Sequence, residues 1–186
     1  MKAHLDIEKL ISDDLISNEL DYERALVAER KLRLLSKESV HFKNLRIKLR
    51  RVIEKYENQE WSDVNNFDTD KLIEIDKYEE IAELERVFIE NRKYSIREKL
   101  KDLDLTQGDL AVILGHKSKT HMSELINGIK PFTLKDLVII NRVLKIEIGL
   151  LIPVFLSKDD QLRLNEIVKV LDKPKVKLNL KDLIVS

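Results

Sequence analysis

The chain reads as an all-α protein: an N-terminal helical region, then a run of short, sharply bounded helices, then a C-terminal extension with the period of a short strand. Three observations predict this. Apolar residues recur every three or four positions over most of the length. Only four glycines and three prolines interrupt 186 residues, and 37% of the residues are charged, a composition that suits solvated helices. Between Leu105 and Leu144, capping residues and glycines stand where helices start and stop.

In the first half, Tyr22, Ala25, Leu26, Leu32 and Leu35 predict a helix over about 21–35. Phe42, Leu45, Leu49, Val52, Ile53 and Tyr56 form a second stripe that runs to near Trp61. Ser62 to Asp70 is polar, with two asparagines, and reads as a loop. Leu72, Ile75, Tyr78, Ile81, Leu84 and Phe88 mark a third helix. Ser95 and Glu98 have the spacing of a capping box, so a new helix is expected over 95–103, packed through Ile96 and Leu100. One continuous helix from Asp70 onward is the competing expectation.

The next segment is the most informative. Thr106 is placed to cap a helix, with Asp109 three residues on, and Leu110, Ala111 and Leu114 fall on one face. Ala111 is small enough to let two crossing helices approach, and Gly115 ends the first helix. Ser118 caps a second, with Met122, Leu125 and Ile126 inward; Asn127-Gly128 ends it and Pro131 forbids its continuation. Thr133 and Asp136 cap another helix to about Leu144. Two short helices joined by a tight turn, in this order, are a helix-turn-helix, which can lay its second helix in the DNA major groove.

A short helix over 147–151 is expected next, stopped by Pro153. Ser157 and Asp160 cap a further one, with Leu164, Ile167, Val168 and Leu171 inside. Beyond Pro174, Val176, Leu178 and Leu180 alternate with Lys175, Lys177, Asn179 and Lys181, the period of a strand. Such a strand would pair with a second copy, pair with another protein, or stay a loose tail. The expected division is 1–93 as a helical region for partner binding or dimerisation, 94–156 as the DNA-binding domain, and 157–186 as an extension.

Charge and composition narrow the function. No cysteine is present, so thiolate chemistry and disulfides are excluded. The apolar run from Ile148 to Leu156 is too short to span a bilayer and contains Pro153, and the first residues lack a signal peptide's apolar stretch, so the cytoplasm is the expected location. Net charge is zero, but its distribution is uneven. Arg30 to Lys55 carries ten Lys or Arg against two acids, and Tyr56 to Glu90 twelve acids against three bases. Either these blocks belong to helices that fold back on each other, or the acidic one meets a basic protein.

Of the four histidines, His4, His41, His116 and His121, the last two are close in sequence, but no cysteine accompanies them and no carboxylate is expected to join them as a ligand; neither a glycine-rich phosphate loop nor a nucleophile elbow is present. No metal, no cofactor and no enzymatic activity are expected.

The segment Thr106 to Leu144 resembles the phage-repressor and Cro-like (XRE family) helix-turn-helix proteins, whose fold is a five-helix domain. Within it, GHKSKTHMSELINGIKPFTLKDLVIINRVLKI (115–146) looks most like the HigA-type antitoxins, with Lys-Ser before the second helix and Ser-Glu-aliphatic-aliphatic-Asn-Gly at its end. ISNELDYERAL (16–26) and IEKYENQEW (53–61) look like that family's N-terminal helical region. Two features depart from it: His116-Lys117 fills a turn that usually has one residue fewer, and the segment over about 62–93 is longer.

The resemblance implies an antitoxin that neutralises a small basic ribonuclease toxin acting on messenger RNA and represses its own operon by binding a palindromic operator in double-stranded DNA. A stand-alone repressor without a toxin is the alternative, and a protein-interaction module that no longer binds DNA a third.

With Ser118 as cap, Lys119, Thr120 and His121 form the leading turn of the reading helix, and Ser123 and Glu124 follow on its open side. By position in the motif, Lys119, Thr120 and Glu124 are base readers: lysine donates to guanine and a carboxylate accepts from cytosine. Thr106 and Gln107 are expected at a phosphate, Lys117 beside the backbone, and Asn127 and Lys130 at a phosphate on the far end. Four lysines against one acid over 115–135 make a modest basic patch, so two copies about 34 Å apart would be needed. Ile139, Ile140, Val143, Leu150, Leu151 and Val154 are either the homodimer contact or ordinary core.

Overall fold

The computed structural model describes residues 5–60, 69–154, 156, 158–171, 173 and 175–176. The described residues form helices and no strand. The expected all-α class is what is found. Of the loop expected from Ser62 to Asp70, 62–68 lie outside the described residues, as do the alternation beyond Val176 and the expected cap Ser157, whereas Thr69 and Asp70 are already helical.

The chain divides after Leu151 into two compact units. In the first, α1 spans Ile7–Asp13, α2 Glu19–Leu35 and α3 Val40–Glu60. α4 then runs over Thr69–Asp102, α5 over Gln107–Leu114, α6 over Lys119–Ile126, α7 over Leu134–Leu144 and α8 over Ile148–Leu151. The second contains α9, Lys158–Leu171. In α9, Leu164 and Val168 are half-buried, whereas Ile167 and Leu171, expected inside, are exposed.

α1 was not anticipated. It has two local signals: the Asp6 side chain accepts from the Lys9 N–H at 3.1 Å, and Asp14 ends it in the left-handed region at φ 49°. Asn18 opens α2, its Oδ1 accepting from the Asp21 N–H at 2.9 Å. One core is built by α1, α2 and α3 from Ile7, Leu10, Tyr22, Ala25, Leu32, Phe42, Leu45, Leu49, Val52 and Ile53. Ile129, from the segment after α6, is fully buried in that same core. A second set of buried side chains, among them Ile96, Leu100, Leu110, Ala111, Leu114, Met122, Leu125, Ile140 and Leu144, belongs to the end of α4 and to α5, α6 and α7.

The break expected at Ser95 is absent. α4 is one helix of 34 residues, so the boundary drawn between 93 and 94 falls inside it. Ser95 Oγ donates back to the Asn91 carbonyl at 3.0 Å, as hydroxyls do inside helices, and Glu98 takes the Tyr94 hydroxyl at 3.4 Å. Of the expected stripe, Ile75, Tyr78, Ile81 and Phe88 are half-buried, but the fully buried positions lie beside it. Leu84 is exposed, whereas Ala82, Glu85, Ile89, Arg92, Ile96 and Leu100 are buried, at steps of 3, 4, 3, 4 and 4. Two members of that stripe are charged, so an apolar pattern could not reveal it. Glu85 is buried because Arg24 of α2 clamps it, with Nε to Oε2 at 2.7 Å and Nη2 to Oε1 at 2.5 Å.

Candidate nucleic-acid interface

The Thr106 side chain accepts from the Asp109 N–H at 3.1 Å while Asp109 accepts the Thr106 N–H at 2.8 Å, a complete capping box that starts α5. The same hydroxyl donates to Asp109 at 2.7 Å, and these contacts hold the Asp109 carboxyl below its ordinary value. Gly115 ends α5 at φ 80°, a conformation that strains any residue with a Cβ, and Ser118 Oγ then accepts from the His121 N–H at 3.2 Å to open α6. α5 and α6 pack on each other.

This geometry leaves the two halves of α6 in opposite conditions. Lys117, Ser118, Lys119 and Thr120 are exposed, and no partner binds the Lys117, Lys119 or Thr120 side chain among the described residues. From Glu124 to Ile129 every residue is buried. Gln107 and Ser123 are half-buried, and Thr106 is exposed with its hydroxyl engaged by Asp109.

Glu124 was expected on the open side and is not there. It is only 2% exposed. One carboxylate oxygen accepts from His41 Nε2 at 2.6 Å; the other lies 3.1 Å from the Lys130 ammonium and 3.5 Å from His121 Nδ1. Lys130 also pairs with Glu8 at 2.6 Å. Burial raises the Glu124 carboxyl's pKa, but the bonds from Lys130 and His41 outweigh it and leave it below the ordinary value. For Lys130, burial is outweighed in the same way by Glu8 and Glu124, which hold its pKa above the ordinary value.

Two expected phosphate contacts are corrected likewise. Asn127 is 2% exposed, and its side-chain amide donates to the Ser123 carbonyl at 2.9 Å. Its backbone carbonyl accepts from Lys31 of α2 at 2.9 Å. Lys130 is half-buried and committed to two carboxylates. The cause is common to all three residues. α1, α2 and α3 supply Glu8, Lys31 and His41 to the rear of α6, a cover that a local motif cannot foresee.

His116 and His121 stack edge to face with centroids 4.8 Å apart, and His116 Nε2 lies 3.3 Å from Asp136 without hydrogen-bond geometry. Glu8, His41 and Glu124 bring ligand-type atoms within 4.8 Å of one another. The Lys130 ammonium bonds two of the three, so a cation already neutralises this cluster. Of the residues weighed as dimer contacts, Ile140 and Leu151 are fully buried, Ile139 is half-buried, and Val143, Leu150 and Val154 are exposed.

The charge blocks divide as well. Glu85 and Glu90 are taken by Arg24 and Lys31 of α2. Glu74, Asp76, Glu79, Glu80 and Glu83 remain on the exposed side of α4, beside exposed Ile73, Leu84, Val87 and Tyr94. No helix among the described residues is long and apolar enough to cross a membrane. No known family model, curated protein or solved structure matches the chain.

Proposed function

We propose that this protein is a DNA-binding transcriptional regulator of the helix-turn-helix type, in which the first turn of α6 enters the major groove of an operator. The exposed turn that Ser118 opens carries this reading: Lys119 and Thr120 point free side chains into solvent, and Lys117 precedes them. Lys119 and Thr120 are the base readers, and Lys117 neutralises the backbone. Ser118 and Gln107 stand at helix starts, where N–H groups take phosphates. Glu124 and Asn127 have the role of fixing the angle at which α6 protrudes. The resemblance of 115–146 to HigA-type antitoxins extends the proposal to a type II toxin–antitoxin pair working as a homodimer, with α4's acidic and apolar outer face meeting the basic ribonuclease toxin. A stand-alone repressor is the second reading; the consumption of Glu85 and Glu90 inside the fold favours it.

A gel-shift on the DNA upstream of the protein's own reading frame tests the regulator. Lys119→Ala with Thr120→Ala abolishes the shift and leaves thermal unfolding unchanged. An unaltered shift would remove α6 from the interface. Co-expression with the adjacent frame, scored by growth, separates antitoxin from stand-alone repressor.

A further inference from the structure

A groove of about 770 Å³ lies between α1 and α3, floored by Ile11 and Leu45, with Glu8, Ser12 and Asp14 on one side and His41, Asn44, Lys48 and Arg51 on the other. The α3 residues advance by 3, 4 and 3 positions, so they form one strip, about 15 Å long from His41 to Arg51 at 1.5 Å per residue. The groove's two acids are spoken for: Glu8 holds Lys130 at 2.6 Å and Asp14 holds Lys55 at 2.6 Å. Lys48 and Arg51 are exposed and have no partner among the described residues. The groove therefore presents uncompensated positive charge. Its near end touches the reading helix through two side chains, because His41 binds Glu124 at 2.6 Å and His121, in the first turn of α6, lies 3.5 Å from the same carboxylate.

We infer that the α3 strip Asn44–Lys48–Arg51 is a second DNA contact, which takes the phosphate backbone flanking the base pairs that α6 enters. The inference rests on the proposed reading of α6. Charge selects the occupant: two cations without a partner among the described residues, on the rim of the groove, suit a polyanion, and the groove's continuity with the first turn of α6 makes the same duplex the polyanion within reach. The strip adds to a patch that is weak alone, with Lys117, Lys119 and Lys135 as its exposed cations. It holds a lysine and an arginine on phosphates and offers no base reader, so its contribution is independent of sequence.

Fluorescence anisotropy on two duplexes, the DNA upstream of the reading frame and a random sequence of equal length, across a salt series, tests this. Lys48→Gln with Arg51→Gln weakens binding to both duplexes in similar proportion, about ten- to hundredfold at 0.1 M salt, and lowers the slope of log K against log salt by about 1.8. Both substitutions are at exposed positions, and an unchanged thermal melt shows that the fold is intact. If this variant matches the parent while Lys119→Ala with Thr120→Ala loses the upstream duplex, the strip is not a DNA contact and the reading of α6 survives. A defect confined to a protein partner's binding would assign the groove to an acidic peptide and overturn the inference equally. If the parent chain binds neither duplex, both this inference and the reading it rests on fall.

Discussion

The first and second turns of α6 are a few residues apart and live under opposite rules. Lys119 and Thr120 are exposed, with no hydrogen-bond or ion-pair partner for their side chains among the described residues, whereas Glu124 and Asn127 are held by α1, α2, α3 and the segment after α6. The contrast teaches how a short helix can be presented. Eight residues cannot sustain a helix alone in water. The rear half is fixed by burial and paired charge, which frees the front half from any structural duty. Residues with no role in the fold can be chosen for what they touch.

Glu124→Ala would break this contrast most. It removes the acceptor shared by His41 and Lys130 and lowers stability by about 2 kcal/mol in urea unfolding, since Lys130 keeps Glu8 and His41 retains some water. Lys119→Ala stays within about 0.5 kcal/mol of the parent. Equal losses at the two positions would erase the distinction. Acid sharpens it next. The Glu124 pKa lies below its ordinary 4.5 in the folded state, so its contribution is complete above that value and is lost as pH falls through the lower folded one. Lys130, raised above 10.5, loses its share only as pH climbs through its higher folded value. The stability gap between the parent and Glu124→Gln is therefore constant at neutral pH and closes as pH falls below 4.5; a gap that persisted in strong acid would mean that packing, not charge, holds the rear turn.

Arg92 gives a smaller effect than Glu124 and the reverse sign. It is buried like Glu124 but meets no carboxylate among the described residues: Nε and Nη2 lack hydrogen-bond partners there, and Nη1 reaches the Leu151 carbonyl at only 3.5 Å. Burial lowers its pKa from 12.5 to about 10, a cost of about 3 kcal/mol. The Phe88 and Phe132 rings, at 5.4 and 5.3 Å, return about 1 kcal/mol each. Arg92→Met should therefore stabilise by about 1 kcal/mol, raising the melting temperature by about 3 °C. A lower melting temperature would show that the two rings matter more than desolvation.

Where local chemistry decides, the sequence was legible. Thr106, Gly115, Ser118 and Thr133 set the bounds of α5, α6 and α7 as their side chains and backbone demand. Two kinds of information were out of reach. Glu85 and Arg92 sit on the buried stripe of α4, where a pattern of apolar residues cannot find them, and without them Ser95 looks like a start. The burial of Glu124 depends on His41, 83 positions away in the chain, a pairing that no spacing rule contains. The exposed face of α6 was read from its own helix; the covered face belongs to the rest of the molecule.

The unbroken course of α4 leaves no seam at which this unit can be divided. About 51 Å of rod, with neither glycine nor proline, carries Glu85, which pairs with Arg24 of α2, and Ile96 and Leu100, which belong to the buried set shared with α5, α6 and α7. A fragment cut between 93 and 94 would part Arg92 from Leu151 and sever the helix in mid-course, exposing apolar surface on both pieces. Deletion mapping at that junction would therefore report misfolding rather than the location of any activity, and point substitutions on intact protein are the sound way to separate its roles.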